Sequence, residues 1–352
     1  MTVLYGLIVL GILIIIHELG HFIAARLTRV HVFEFAVGFG AKLYSFRIGE
    51  TEFSIRAIPL GGFVSLAGLD ETDKFTDPER SYMNKSLIQK VFIILAGPMA
   101  NFLSAFLFLW IAVFFYGTEV PDPRPVVGDV LSHSPAQKAG FRSGDYILKV
   151  NDKNITTFAE IAEIIQRSEG PVKFEVQRMN EVLTISVVPE YESQTEAFLR
   201  NDQVTRKLVG LIARFDYEPV TLYEACVISA ERTVSTSGTI LKVVWGLLTG
   251  KISKKELAGP VLIISEAGTN VKKGFKSLLM FMFILSVNLA LLNLLPIPIL
   301  DGGHLAILLV EGLIGRPVPV GVKNFINYIG FAFLAILTIL VLKNDIKRLL
   351  FG

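Results

Sequence analysis

Ile14-Ile-Ile-His17-Glu18-Leu-Gly-His21-Phe22 sits inside an apolar run that begins at Met1 and continues to Ala25, and the rest of the chain is read against it. Two histidines four apart lie about one turn from each other on one face of a helix. The glutamate after the first is placed to act on the same metal-bound water. This is the H-E-x-x-H pattern of metal-assisted hydrolysis. A glutamate and two histidines are expensive in lipid, so their place in a membrane segment points to function rather than packing.

Residues 1–25 suffice to cross a hydrocarbon core of about 30 Å at about 1.5 Å per residue. The run lacks a basic leading region and a small-residue cleavage site, and is read as a retained anchor with its start outside. Of 352 residues, 52% are hydrophobic, with a mean hydropathy of +0.54, which marks a multi-span membrane protein. A net charge of +2 is too balanced to argue for nucleic acid as a partner. Cys226 is the single cysteine, so an intramolecular disulfide and a thiolate zinc cluster are both excluded. A metal must take His, Asp or Glu.

Residues 26–90 carry Arg26 and Arg29 at one end and Lys85 and Lys90 at the other, which the positive-inside rule places in the cytoplasm. Within them, residues 49–66 alternate as strands do, interrupted by Pro59 and Gly61-Gly62, and predict a β-hairpin or short sheet near the catalytic helix. An exposed edge there can pair with an extended peptide, and a plain structural brace fits the pattern equally. Residues 91–116 form the second span. In it, Gly97-Pro-Met-Ala-Asn101 reads as a close-packing patch, with Asn101 bonding across a helix interface.

From Pro121 the composition turns soluble. Residues 126–152 predict strand, short helix, turn and strand; residues 158–167 a helix; residues 172–177 and 182–188 two paired strands. Residues 233–248 predict an amphipathic helix lying on the membrane surface, and residues 257–265 a short apolar piece. Residues 277–295 and 325–342 are the third and fourth spans, residues 306–314 being too short to cross. Four spans put the soluble module and the C-terminus outside. The basic Lys343, Lys347 and Arg348 run against that orientation of the tail.

His17 and His21 supply two of the three protein ligands of a catalytic zinc, with one position left for water. The residues after His21 lack the glycine and third histidine of the extended metzincin motif, so the third ligand lies elsewhere. Pro296-Ile-Pro-Ile-Leu-Asp301-Gly-Gly-His304 sets an aspartate among prolines and glycines. Irregular backbone at membrane depth is tolerated only inside protein or against a wet cavity. Asp301 is the first candidate for the third ligand and His304 the second.

Together, His17-Glu-Leu-Gly-His21-Phe22, Ile58-Pro59-Leu60-Gly61-Gly62-Phe63-Val64, Gly97-Pro-x-x-Asn101 and Asn293-Leu-Leu-Pro-Ile-Pro-Ile-Leu-Asp301-Gly-Gly resemble the bacterial site-2 proteases, nearest the regulator-of-sigma-E group. Ser134-Pro-Ala-x-x-Ala-Gly-Phe-x-x-Gly-Asp-x-Ile resembles a bacterial PDZ domain, which accepts peptides by strand addition. The resemblance runs from the first helix to the last, with the motifs in the family's order.

It implies an intramembrane zinc endopeptidase, with His17, His21 and Asp301 holding Zn2+ and Glu18 as catalytic base. Asn288, Asn293, Ile58, Pro59, Leu60, Gly61 and Gly62 would lie near the substrate. Implied partners are the lipid bilayer, single-span membrane proteins such as an anti-sigma factor after a first cleavage, possible remnant signal peptides, and peptide tails at the PDZ domain. The implied location is the bacterial cytoplasmic (inner) membrane, with the PDZ domain on the periplasmic or extracellular side. The group's proteobacterial members usually carry two tandem PDZ domains, and this chain shows one.

The expected fold is a multi-span α-helical membrane protein of about four transmembrane helices, with a membrane-associated β-hairpin or sheet and an inserted α+β PDZ domain. Its expected parts are a catalytic half (1–120), the PDZ domain (121–190), a surface-lying linker (191–258) and a second membrane half (259–352). A zinc transporter would spread such ligands over several spans without needing Glu18, and a PDZ-bearing scaffold would tolerate loss of the H-E-x-x-H motif, which is intact here.

Overall fold

The computed structural model describes residues 2–69, 77–191, 206–252 and 259–351. In chain order, α1 (Thr2–Leu27), β1 (Val32–Ile48), β2 (Thr51–Leu66) and α2 (Leu87–Tyr116) come first. Then follow β3 (Thr118–Pro121), β4 (Val127–Val130), α3 (Pro135–Lys138), β5 (Tyr146–Val150), β6 (Lys153–Asn154), α4 (Phe158–Arg167), β7 (Val172–Arg178) and β8 (Glu181–Val187). Short strands β9 (Glu190–Tyr191), β10 (Lys207–Leu208), β11 (Leu211–Ala213) and β12 (Phe215–Glu218) precede the last helices. These are α5 (Leu222–Leu248), α6 (Pro260–Lys273), α7 (Phe275–Asn293), α8 (Asp301–Ile314) and α9 (Val320–Phe351).

Among the described residues, four helices are long and apolar enough to cross a membrane: Val3–Leu27, Leu87–Tyr116, Phe275–Asn293 and Val320–Lys347. They are the four spans the hydropathy pattern predicts. The last extends beyond the apolar run at both ends, since no proline or glycine follows Gly330 to stop it until the final residue. Helix α5 starts at Leu222 rather than Thr233 because Thr221 and Glu224 form a capping box: each side chain bonds the other residue's backbone N–H. Helix α6 starts at Pro260, a residue suited to the first turn, and runs past the expected end to Lys273; residues 257 and 258 lie outside the described residues.

The described chain divides into two compact units. One comprises Met1–Ala112, Cys226–Leu241 and Lys254–Gly352. In it, Val9 and Leu13 of α1 pack with Ala267 of α6 and Met282 of α7. Small residues set the spacing: a β-carbon at Gly6 would collide with the Ile264 carbonyl, and one at Gly20 with the Ala96 carbonyl of α2. Helix α6 is closed from a distance. The carboxylate of Asp345, fully buried on α9, accepts the backbone N–H groups of Gly259 (2.8 Å), Val261 (3.1 Å) and Leu262 (3.2 Å). Those donors have no partner within their own helix.

The strands β1 and β2 form more than the hairpin expected over residues 49–66. Residues 34–37 lie between two stretches of β2, with Val37 opposite both Gly62 and Ile55. The outer part of β1 pairs with the start of β2, from Ile48 opposite Thr51 to Lys42 opposite Arg56. The folded ribbon thus makes four adjacent segments, in the order 42–48, 51–56, 32–37 and 62–66. Gly38 (φ 89°) and Gly40 (φ 82°) let β1 bend between its two parts. Residues 62–66 pair on one side only among the described residues, which leaves them as an edge.

The other unit comprises Val113–Ala225 and Lys242–Ser253. Its sheet runs in the order β6-β5-β7-β8, and α4 covers it with Ile161 and Ile165 against Ile147, Phe174 and Val176. Val209 joins this core, and β11 pairs with β4. Asp145 is buried and receives both Nε (2.7 Å) and Nη2 (2.8 Å) of Arg178. Strand β3 pairs with β12 so that Thr118 lies opposite Glu218.

Candidate metal and active site

One turn of α1 brings His17 and His21 to the same face, and the irregular stretch before α8 brings Asp301 to them. Their ligand atoms lie within 4.8 Å of one another. His17 Nε2 is 3.0 Å from Asp301 Oδ2, His21 Nε2 is 3.4 Å from Asp301 Oδ1, and the two Nε2 atoms are 3.2 Å apart. The local sequence explains how Asp301 arrives there. Gly302 and Gly303 press against the carbonyls of Leu294, Leu295 and Ile297, where a β-carbon would not fit. The chain therefore folds back tightly between α7 and α8.

The outer nitrogens fix the rings. His21 Nδ1–H donates to the Ile93 carbonyl at 2.9 Å, so in the neutral ring Nε2 is the nitrogen that turns a lone pair toward the cluster. His17 Nδ1 lies 3.1 Å from the amide of Asn101, a fully buried residue of α2. With Nδ2 toward the ring, Asn101 Oδ1 is buried without a partner; turned by half a rotation, Oδ1 accepts the His17 Nδ1–H and frees that Nε2 as well. Asn101 bonds across a helix interface, as its packing patch led one to expect, and its partner there is a ring of the cluster. Its backbone carbonyl accepts from Ser286 of α7 at 2.9 Å, which ties α2 to α7.

These residues fit a cation. Two imidazole lone pairs and a carboxylate converge, and Asp301 Oδ2 is buried without a well-formed hydrogen bond. Such a donor set suits a divalent cation placed among its members. The space is also cleared for one: a β-carbon at Gly97 of α2 would collide with His21 Nε2 and stand 2.9 Å from His17 Nε2.

A cavity of about 500 Å³ opens on the cluster. Glu18 lines it beside His17, His21 and Asp301, and so does His304, which stands near the three without being one of them. Gly61 and Gly62 of the sheet edge line it, whereas Ile58 does not and is exposed; the side chains of Pro59 and Leu60 lie outside the described residues. Leu289 and Asn293, four apart on α7, share the lining face, and Asn288 is not among the lining residues. The sequence reading missed Phe39, which lines the cavity and stacks on Phe63 with ring centres 6.3 Å apart. Its signal was the pair of flanking glycines, Gly38 and Gly40.

A family model described as Peptidase family M50 matches residues 5–337. A provisionally named zinc metalloprotease of Clostridium acetobutylicum is 35% identical over 347 residues, covering 98% of this chain and 97% of the relative. One of Rickettsia conorii, named in the same way, is 33% identical over 364 residues, covering 99% of each. The regulator of sigma-W protease RasP of Bacillus subtilis is 29% identical over 427 residues, again covering 99% of each. Likeness along the whole chain, rather than at one helix, settles the assignment: the chain belongs to peptidase family M50, the site-2 proteases, and is a zinc-dependent metalloendopeptidase.

Proposed function

We propose that this chain cuts single-span membrane proteins within the bilayer, with His17, His21 and Asp301 holding the zinc and Glu18 moving the proton. The observation that carries the reading is the convergence of two imidazole nitrogens and a carboxylate beside Glu18, in a cavity between helices of membrane-spanning length. Zinc, when bound, supplies a Lewis acid that lowers the pKa of water and polarises the scissile carbonyl. Glu18 accepts a proton from the attacking water and delivers it to the leaving amine. A helical substrate keeps its carbonyls in its own hydrogen bonds, so it must unwind locally. The free edge at residues 62–66 offers replacement backbone partners, and Asn293 adds an amide.

The Bacillus relative is named as the regulator of sigma-W protease, which supports substrates of the anti-sigma-factor type, reached after a first cleavage, with remnant signal peptides as a second class. In the soluble unit, the order strand, short helix, strand, helix and paired strands over residues 127–187 supports a PDZ-type domain that takes peptide tails. It would face outward from a bacterial cytoplasmic membrane. In purified protein, Glu18→Gln should keep its zinc by metal analysis while cleaving a single-span substrate at least about a hundredfold more slowly. Unchanged turnover in a zinc-loaded variant would remove Glu18 from the mechanism.

A further inference from the structure

A second cavity, of about 620 Å³, adjoins the catalytic one. Leu66, Leu69, Tyr82, Ile94 and His304 line both, so the two spaces meet at the end of β2 and along α8. Their chemistry differs. Beyond its metal cluster and Glu18, the catalytic cavity is mostly apolar, whereas the second contains Lys90 of α2, Glu311 of α8, and Lys323, Asn324 and Asn327 of α9.

Among the described lining residues, the charges inside do not cancel. Glu311 is already engaged: its Oε1 accepts Lys323 Nζ at 2.8 Å and the Val318 N–H at 3.0 Å. Lys90 has the Tyr82 ring 5.7 Å from its Nζ and, among the described residues, no carboxylate within ion-pair distance. Among the described lining residues, two ammonium groups face one carboxylate, and Lys90 is the one not ion-paired to it. The sheet edge leads to it. Gly61, Gly62, Phe63 and Val64 line the catalytic cavity and Ser65 the charged one, with Leu66 in both. A peptide paired with that edge advances about 3.3 Å per residue, so it passes from the scissile bond to Lys90 within a few residues.

We infer that this cavity is a specificity subsite for an acidic side chain a few residues to one side of the scissile bond, with Lys90 as its partner and Lys323 beside it. The inference rests on the protease reading given above. A phospholipid phosphate carries the same charge, but continuity with the peptide-pairing edge favours a substrate carboxylate.

The test uses the purified full chain and a single-span substrate whose flanking positions carry Gln, replaced one at a time on each side of the bond by Asp or Lys. Asp at a position in one flank should raise kcat/KM roughly tenfold over Gln, mainly through KM, the scale of one hydrogen bond to a charged group. Lys there should lower it. In Lys90→Glu the order should invert, with the Lys substrate preferred over the Asp substrate. A flat response to substrate charge in the wild-type protein, which needs no variant to fold, overturns the subsite. So does an Asp-to-Gln ratio that is unmoved in Lys90→Glu. If instead Lys90→Gln removes a dependence of activity on phosphatidylglycerol in vesicles while substrate charge has no effect, the occupant is a lipid and the inference fails alone. If the Gln parent is not cut in a zinc-dependent way, the protease reading fails and the subsite falls with it.

Discussion

Glycine at position 97 contributes by what it lacks. A side chain there would occupy the space between the His17 and His21 nitrogens, and moving α2 away to make room would give up the close packing of Gly20 against Ala96. Gly97→Ala should therefore fold but bind zinc at least about tenfold more weakly, an effect comparable to losing a group that orients a ligand. Competition with a chelator of known affinity measures it, and wild-type affinity would show that the cradle yields. At this scale the sequence was legible where its spacing matches a structural period. His17 and His21 are one helical turn apart, and Asp301 stands out among Pro296, Pro298, Gly302 and Gly303. Gly97 read only as a packing residue, because nothing local shows that its side of α2 faces the histidines. Asn288 shows the reverse: it cannot share a face with Leu289 and Asn293, which the 3.6-residue period already implies.

The folded ribbon of β1 and β2 is held by a charged pin as well as by its ladder. Glu34, in its central segment, accepts from the Ser54 hydroxyl and from Arg56 Nη2 at 2.8 and 3.0 Å. Burial alone would raise the Glu34 carboxyl, but the bonds from Ser54 and Arg56 outweigh it and hold the group below the ordinary glutamate range. A carboxylate with a depressed folded pKa stabilises fully above its unfolded value of about 4.3 and loses that contribution as pH falls through the lower folded value. Amide protection factors over residues 34–56, that is, exchange rates corrected for the intrinsic pH dependence of exchange, should thus fall on acidification below about pH 4 in the wild-type chain. Glu34→Gln should start less protected and show little pH dependence; parallel profiles would assign the stability elsewhere. Residues 49–66 announced themselves by alternation. Residues 32–48 did not, because Gly38 and Gly40 break the two-residue period at the bend, and the doubled pairing of residues 34–37 joins segments that no local pattern connects.

At the scale of the whole chain, Thr118 opposite Glu218 means that residues 118–218 leave and return at adjacent points. Segments inserted in that way tolerate removal, since the flanking ends need not move to be rejoined. Joining Gly117 to Pro219 through a short Gly-Ser link should leave zinc binding and cleavage of a short-tailed substrate intact. If the soluble unit excludes bulky outer portions, long-tailed substrates should now be cut; if it binds tails, they should not, and the natural substrate should be cut more slowly. Loss of zinc-dependent cleavage of even the short-tailed substrate, in folded protein, would make the unit part of the catalytic machinery. The sequence marks where this stretch begins, by the change of composition near Pro121. Its return is not written locally: β12 is a strand because β3 lies beside it, and such pairing across the length of a domain leaves no trace in a window of neighbouring residues.

The Asp345 cap carries a consequence for how the chain is made. Every residue of the candidate metal cluster has been synthesised by Asp301, and α6 leans on the helix that bears His17 and His21, yet the carboxylate that closes the start of α6 lies 86 residues beyond Gly259. A ribosome paused after residue 340 would hold a chain with its full chemical equipment and an open helix end. Closing the start of α6 therefore waits on α9, and a truncation that removes Asp345 would act on the folding of this unit while sparing every residue of the candidate metal cluster.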